Sequence, residues 1–271
     1  SVQDTVYHYA LEVVDRLRQS GDEAIDVTDS IIKAVGNIVW SLTFGLNLEF
    51  DNDIVPKFRN VLQELAPVMS GPYLMLIEAF PPLRKLDFLF GYQMRQLKIL
   101  FGDANVMVTD AIKRVEATFN ADNQPNSYVE AFLREMKNNE EAGKPAGNFH
   151  YKQMHASAVA LWSAGFDTTV ATLRLCCLEL VNNPEVQRKL QKEIDGVIGK
   201  RRIRFEDREK LPYLSAFLQE VSCLLSGWQI PVGTNILPQF SMVHSDPNEF
   251  ERPEFFCPDR HLNEEGQFVK V

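Results

Sequence analysis

The chain has 271 residues, 45% hydrophobic and 24% charged, the composition of a globular protein long enough to bury a sizeable core. A net charge of −9 argues against nucleic acid as the main partner, because phosphate binding needs a basic face. Four cysteines, none with Cys-x-x-Cys or zinc-ligand spacing, read as free thiols of a reducing compartment. The first residues show neither a basic n-region nor an apolar h-region, so no signal peptide is expected. The absent initial Met suggests a chain that begins partway through a longer one. No apolar stretch approaches the ~20 residues that span a bilayer.

The predicted elements are almost all helices. Residues 4–20 place Val6, Ala10, Val13, Val14 and Leu17 at helical spacing, and residues 27–45 form a more apolar helix. A third helix covers 54–68. Residues 69–91 are apolar but broken by prolines, which predicts a covering segment rather than one straight helix. A long amphipathic helix is expected over 92–119 and a shorter one over 125–137, followed by a polar loop at 137–148. From 151 to 181 there is no proline and a single glycine. A helix of about 30 residues is ~45 Å long, enough to cross a domain. Asn183-Pro184-Glu185 reads as a new helix start, with Asn as cap and Pro in the first turn. Val186, Leu190, Ile194 and Val197 mark its buried face, and Gly199 ends it. A further helix carries Leu214, Phe217, Leu218, Val221, Leu224 and Leu225. Around Pro231 and Gly233 the period changes to that of two short strands. The fold class is therefore mainly α with a small β portion, in one large domain or two smaller ones.

Within the longest helix, Leu161 to Arg174 reads LWSAGFDTTVATLR. The run sets Asp167, Thr168 and Thr169 next to Ala164 and Gly165. A mid-helix glycine costs roughly 1 kcal/mol against alanine, so it needs a reason. Threonine can bond back to the carbonyl one turn earlier. Ala164, Gly165 and Thr168 are expected on nearly one face, leaving a shallow groove. Two readings stay open: close packing against another helix, or a flat ligand lying on the groove beside an acid and a hydroxyl fit for proton transfer.

These residues resemble a known family. Ala164-Gly165-Phe166-Asp167-Thr168-Thr169 is similar to the distal-helix motif of the cytochromes P-450, the haem-thiolate monooxygenases. Asn183-Pro184-Glu185-Val186-Gln187, Leu211-Pro212-Tyr213-Leu214 and Glu220 follow in the family's order. So do Ile230-Pro231-x-Gly233-Thr234, His244-x-Asp246-Pro247 and Phe256-x-Pro258-Asp259-Arg260. Upstream, Gly36-Asn37-Ile38-Val39 and Leu42-Thr43-Phe44-Gly45 resemble the animal microsomal branch. The resemblance implies a partial cytochrome P-450 fold, covering the middle of the family's length. It implies that Ala164, Gly165 and Thr169 line a haem (iron protoporphyrin). Thr168 would hydrogen-bond the bound oxygen, and Asp167 would link it to a proton path. Phe166 would face the substrate, residues 69–90 would form part of the substrate roof, and Glu220 would pair with Arg260 in a structural cluster.

The sequence also departs from the family. No Phe-x-x-Gly-x-x-x-Cys-x-Gly loop is present, so the axial cysteine thiolate that favours O–O cleavage is missing and no metal ligand is assigned. The helical Glu220 is followed three residues later by Cys223 where the family has arginine, and the connection through Gly227 is shorter than the family's. The chain is expected to lack the N-terminal anchor, the first sheet and the haem-cysteine loop.

Other candidates read as structural. His150 and His155 are five apart and do not share a helical face. His244 sits at a helix–loop junction. The run Lys200-Arg201-Arg202-Ile203-Arg204 either faces an electron donor or is a solvated loop. Two hypotheses result. In the first, a full-length form is an O2-dependent monooxygenase of fatty acids, steroids or xenobiotics. It takes electrons from an NADPH-dependent flavoprotein reductase at the cytoplasmic face of the endoplasmic reticulum membrane. In the second, these residues form a non-catalytic helical remnant or interaction module that binds no haem. The chain as it stands is expected to be inactive and, without an anchor, cytoplasmic.

Overall fold

The computed structural model describes residues 2–21, 23–69, 71–221, 256–263 and 265–269. Among these, helix dominates, and the β pairing is a single antiparallel bridge between Leu262 and Phe268. The strands expected around Pro231 and Gly233 lie outside the described residues, as do Cys223, the end of the last predicted helix and the His244-x-Asp246-Pro247 motif. The chain packs as two compact units, Ser1–Val170 and Ala171–Val271, and the boundary falls inside a helix rather than in a linker.

Among the described residues, the first unit holds six α-helices, a 3-10 helix and the larger part of a further α-helix. Helix α1 (Val2–Gln19) lies on α2 (Thr28–Phe44) through Tyr9, which packs with Ala34 and Phe50 and donates its hydroxyl to Leu48 O at 2.9 Å. Arg16 pairs with Asp51, and Lys33 reaches both Asp29 and Asp51, fastening the outer edge of this pair. Gly45 ends α2 at φ 71°, with its N–H on Ser41 O at 2.8 Å, a conformation that favours glycine. Helix α3 (Ile54–Met69) follows, started by Asn52 Oδ1, which accepts from the N–H groups of Ile54 and Val55.

The proline-broken segment becomes α4 (Pro72–Ala79) and a 3-10 helix, Pro81–Phe90. Pro72 stands at the first turn of α4, where its missing N–H costs nothing. Helix α5 (Gln93–Thr118) buries Leu97, Leu100, Ala104, Val108, Ala111, Ile112 and Val115, the three- and four-residue repeat of its sequence. Helix α6 (Tyr128–Glu141) is capped by Ser127, whose hydroxyl accepts from Glu130 N at 3.2 Å.

Helix α7 (Tyr151–Asn182) runs unbroken through the stretch without proline. In the second unit, α8 (Pro184–Val197) and α9 (Pro212–Val221) pack on each other, and α9 packs on the short helix Pro258–His261. Cys176, Val186, Leu190, Tyr213 and Phe217 form the core of this unit. Asn183 stands at the N-cap of α8 as expected, but its side chain makes no cap bond; its amide nitrogen instead donates backward to Glu179 O at 2.9 Å and to the Glu179 carboxylate at 3.2 Å. The preceding helix offers unsatisfied carbonyls at its end, and the asparagine serves those.

Candidate functional site

Helix α7 has two faces within the first unit. Met154, Ala158, Trp162, Phe166 and Val170, spaced four apart, are all buried. They meet an aromatic cluster supplied by α2 and α3. Phe58 stacks on Trp162 at 3.5 Å, Trp40 meets Trp162 edge-on at 4.9 Å, and Phe166 lies 6.1 Å from Phe58. Gly36 makes this possible, because a Cβ there would run into Val55 and come within 3.2 Å of the Phe166 ring.

Gly165 serves the same packing. A Cβ at this position would stand 3.2 Å from Val39 Cγ1, so the bare glycine lets α7 approach α2 closely. The expectation that Ala164, Gly165 and Thr168 share one face is corrected by the structure. Ala164 and Thr168 are exposed, while Gly165 turns toward Val39. Successive helical residues are about 100° apart, so Gly165 cannot follow its neighbour. Phe166, expected on the substrate side, is 1% exposed and stands in the aromatic core.

The other face is open. Ala160, Ala164, Asp167 and Thr168 are exposed along it, and Thr169, also exposed, lies round the helix from them. Thr168 Oγ1 donates to Ala164 O at 2.7 Å. That bond spends the single hydroxyl proton on the helix carbonyl. The face thus combines small side chains, a hydroxyl and a solvent-facing carboxylate along about two turns.

Residues 69–90 also expose apolar side chains: Leu76, Phe80, Phe88 and Leu89 are open, while Tyr73 and Ile77 point inward. Tyr73 stacks on Phe90 at 4.3 Å and so folds the 3-10 segment back onto α4.

In the second unit, Glu220 sits in a nearly closed cluster. Its carboxylate lies 3.2 Å from Arg260 Nε, and both side chains are 10% exposed. Cys257 N donates to Oε1 at 3.0 Å, and His261 Nε2 meets Oε2 at 2.7 Å. The Glu220–Arg260 juxtaposition is present, and His261 is an added partner that sequence reasoning missed. Its only signal was adjacency to Arg260. Cys223, at the position of the family's arginine, lies outside the described residues.

The described cysteines are poorly placed to hold iron. Cys176 is in the core of the second unit, and burial pushes its thiol and that of Cys177 above the usual range, which keeps them protonated. Cys257 follows Phe256 in the loop that caps Glu220. Among the described residues no group of three or more His, Cys, Asp or Glu side chains is set to bind a metal. His150 Nδ1 accepts from Gln153 N at 3.1 Å at the start of α7, and His155 meets Thr109 at 2.9 Å, so both are used structurally. The open face of α7 presents small and polar side chains to solvent.

The comparisons with known proteins agree with the motif series. The family profile described as Cytochrome P450 matches residues 1–221 and 222–271. The probable cytochrome P450 CYP36A1 of Caenorhabditis elegans is 30% identical over 99% of this chain and 58% of its own length. Cytochrome P450 2J5 of Mus musculus is 29% identical over 100% of this chain and 56% of its own. Cytochrome P450 2J2 of Homo sapiens is also 29% identical, over 100% and 56%. The chain belongs to the cytochrome P450 family, and it spans a little over half the length of these relatives. Among the described residues no helix is long and apolar enough to cross a membrane.

Proposed function

We propose that these residues, read as one partial domain of the family, form the oxygen- and substrate-side part of a haem monooxygenase. Its substrates are hydrophobic organic compounds such as fatty acids, steroids or xenobiotics. Its electrons come from an NADPH-dependent flavoprotein reductase at the cytoplasmic face of the endoplasmic reticulum membrane. The observation that carries this reading is the division of α7 into an aromatic packing face and an open face of small and polar residues.

Haem, when bound, supplies the binding and activation of dioxygen. The chain supplies the surroundings. Ala160 and Ala164 keep the open face low enough for a flat apolar group. Thr168 Oγ1, with its proton on Ala164 O, accepts a hydrogen bond from a proton-bearing oxygen beside it. Asp167, one residue earlier and open to water, relays protons to the same place. Thr169 flanks the face. Phe166 and Gly165 fix the turn by packing, so the exposed groups are held on a rigid element. Glu220 and Arg260 hold the segment after Phe256 on α9.

The residues as they stand turn over no substrate. The placement of Cys176, Cys177 and Cys257 supports this, and it equally supports the reading of the isolated chain as a helical module without ligated haem. The test is a haemin titration of the purified chain and of Ala164→Trp, followed by incubation with NADPH, reductase and a fatty acid. Haemin association weakened by the tryptophan, with no oxidised product, is the expected result. Equal association in the variant, or product formation by the wild-type chain, overturns the proposal.

A further inference from the structure

Helix α8 lines a cleft with one stripe of its surface. Lys189, Lys192, Gly196 and Val197 recur at helical spacing along a space of about 400 Å³. Tyr213 of α9 and Asp259 of the short helix Pro258–His261 complete the walls. Small-molecule sites span ~300–1,000 Å³, so the cleft is large enough for a ligand. Gly196 keeps it open. Neither backbone nor packing requires glycine there: Gly199 takes the left-handed turn that ends α8, and a Cβ on Gly196 would meet no atom within 4 Å. Glycine also weakens a helix relative to alanine, so its cost has no structural return at this position. Tyr213 is 7% exposed, and its hydroxyl is buried without a hydrogen-bond partner, which leaves one donor in the wall unused.

Most charges along the cleft are already matched. Lys189 Nζ donates to both Asp259 oxygens, at 2.7 and 2.8 Å, and lies 5.5 Å from the centre of the Tyr213 ring. Glu193, which also lines the cleft, accepts from the N–H groups of Tyr213 at 2.7 Å and Leu214 at 2.9 Å. Lys192 is exposed and, among the described residues, has no carboxylate partner. An unmatched ammonium beside bare backbone and an aromatic ring selects an anion with a flat apolar body, and we infer that this cleft binds a small aromatic monocarboxylate. The carboxylate pairs with Lys192 through a charge-assisted hydrogen bond. The body lies on Gly196, Val197 and the Tyr213 ring. A dianion is disfavoured, because the Glu193 and Asp259 carboxylates stand in the same walls. None of these residues belongs to the open face of α7 or to the Glu220 cluster, and the inference does not rest on the monooxygenase reading.

The test uses the whole chain without haemin and three compounds: 2-naphthoate, its neutral amide and decanoate. Equilibrium dialysis gives the affinities. Carbodiimide coupling of bound 2-naphthoate to a lysine amine, followed by peptide mass spectrometry, gives the place. The variants are Lys192→Gln and Gly196→Phe, with circular dichroism as the check on folding and Gly196→Leu as the replacement if the phenylalanine variant fails it. The expected result is binding of 2-naphthoate with coupling at Lys192, and weaker binding of the amide and of decanoate. Lys192→Gln weakens 2-naphthoate about 3-fold, as befits an exposed ion pair. Gly196→Phe fills the cleft and weakens it at least ~10-fold. Absence of 2-naphthoate binding, coupling chiefly at any other lysine, affinity unchanged by the residue-196 variant, or equal binding of the amide or of decanoate overturns the inference.

Discussion

The carboxylate of Glu220 and the imidazole of His261 meet at 2.7 Å inside the second unit, 41 residues apart in the chain. A carboxylate oxygen accepts, so His261 Nε2 donates; His261 Nδ1 is buried without a partner. Glu220 is thus held by an imidazole, a guanidinium and the Cys257 N–H, and α9 is tied to the segment after Phe256. His261→Ala leaves a buried carboxylate short of a donor and should cost about 3 kcal/mol in urea unfolding. His261→Gln retains a donor and should lose less. Equal losses for the two variants would show that the contact is packing alone.

Asp207 sets an acid limit on the second unit. The Arg201 guanidinium, then the Arg204 N–H, lower its carboxyl from 3.8 to about 2. A depressed carboxyl contributes stability above its unfolded value, and that contribution is lost as pH falls from about 4 to about 2. Asp207→Asn should flatten the stability curve in that window, measured by thermal melts across pH. An unchanged slope would mean that other carboxylates carry the acid transition.

The two faces of α7 separate stability from the proposed chemistry. Trp162→Ala removes the ring that stacks on Phe58 at 3.5 Å and should cost ~3–5 kcal/mol. Thr168→Val, on the open face, should change stability by no more than ~0.5 kcal/mol. Chemical unfolding of the two variants compares the faces directly. A Thr168→Val loss as large as that of Trp162→Ala would place Thr168 in the core.

Gly165 packs against Val39 of α2. Gly165→Val pushes carbon toward Val39, which already stands 3.2 Å from a Cβ at that position, and should cost ~1–3 kcal/mol. Val39→Ala in the same chain should recover part of the loss. A strictly additive pair would mean that the two residues do not meet.

The helices were largely legible in the sequence, and the reason is local. Residues 151–181 lack proline, and the structure runs α7 over Tyr151–Asn182. Residues 69–91 are interrupted by prolines, and they form a short helix and a 3-10 turn. What the sequence could not show was which neighbour each side chain would find. Gly165 and Ala164 are adjacent in the chain, but α2 claims one and leaves the other open. Phe166 belongs to the same motif as Thr168, yet the four-residue spacing from Trp162 turns it into the core. His261 and Asp207 acquire their roles from partners brought in by folding or by a loop clamp, and helical periodicity carries no trace of either.

The most direct test of the central claim is the ferrous carbon-monoxide spectrum of the haemin-loaded chain. The claim is that the open face of α7 receives the porphyrin while none of the chain's four thiols ligates its iron. The account predicts a bound haem without the red-shifted Soret band of a thiolate-ligated complex. A clear thiolate-type band from the wild-type chain, lost on replacing any one of the four cysteines, would contradict it.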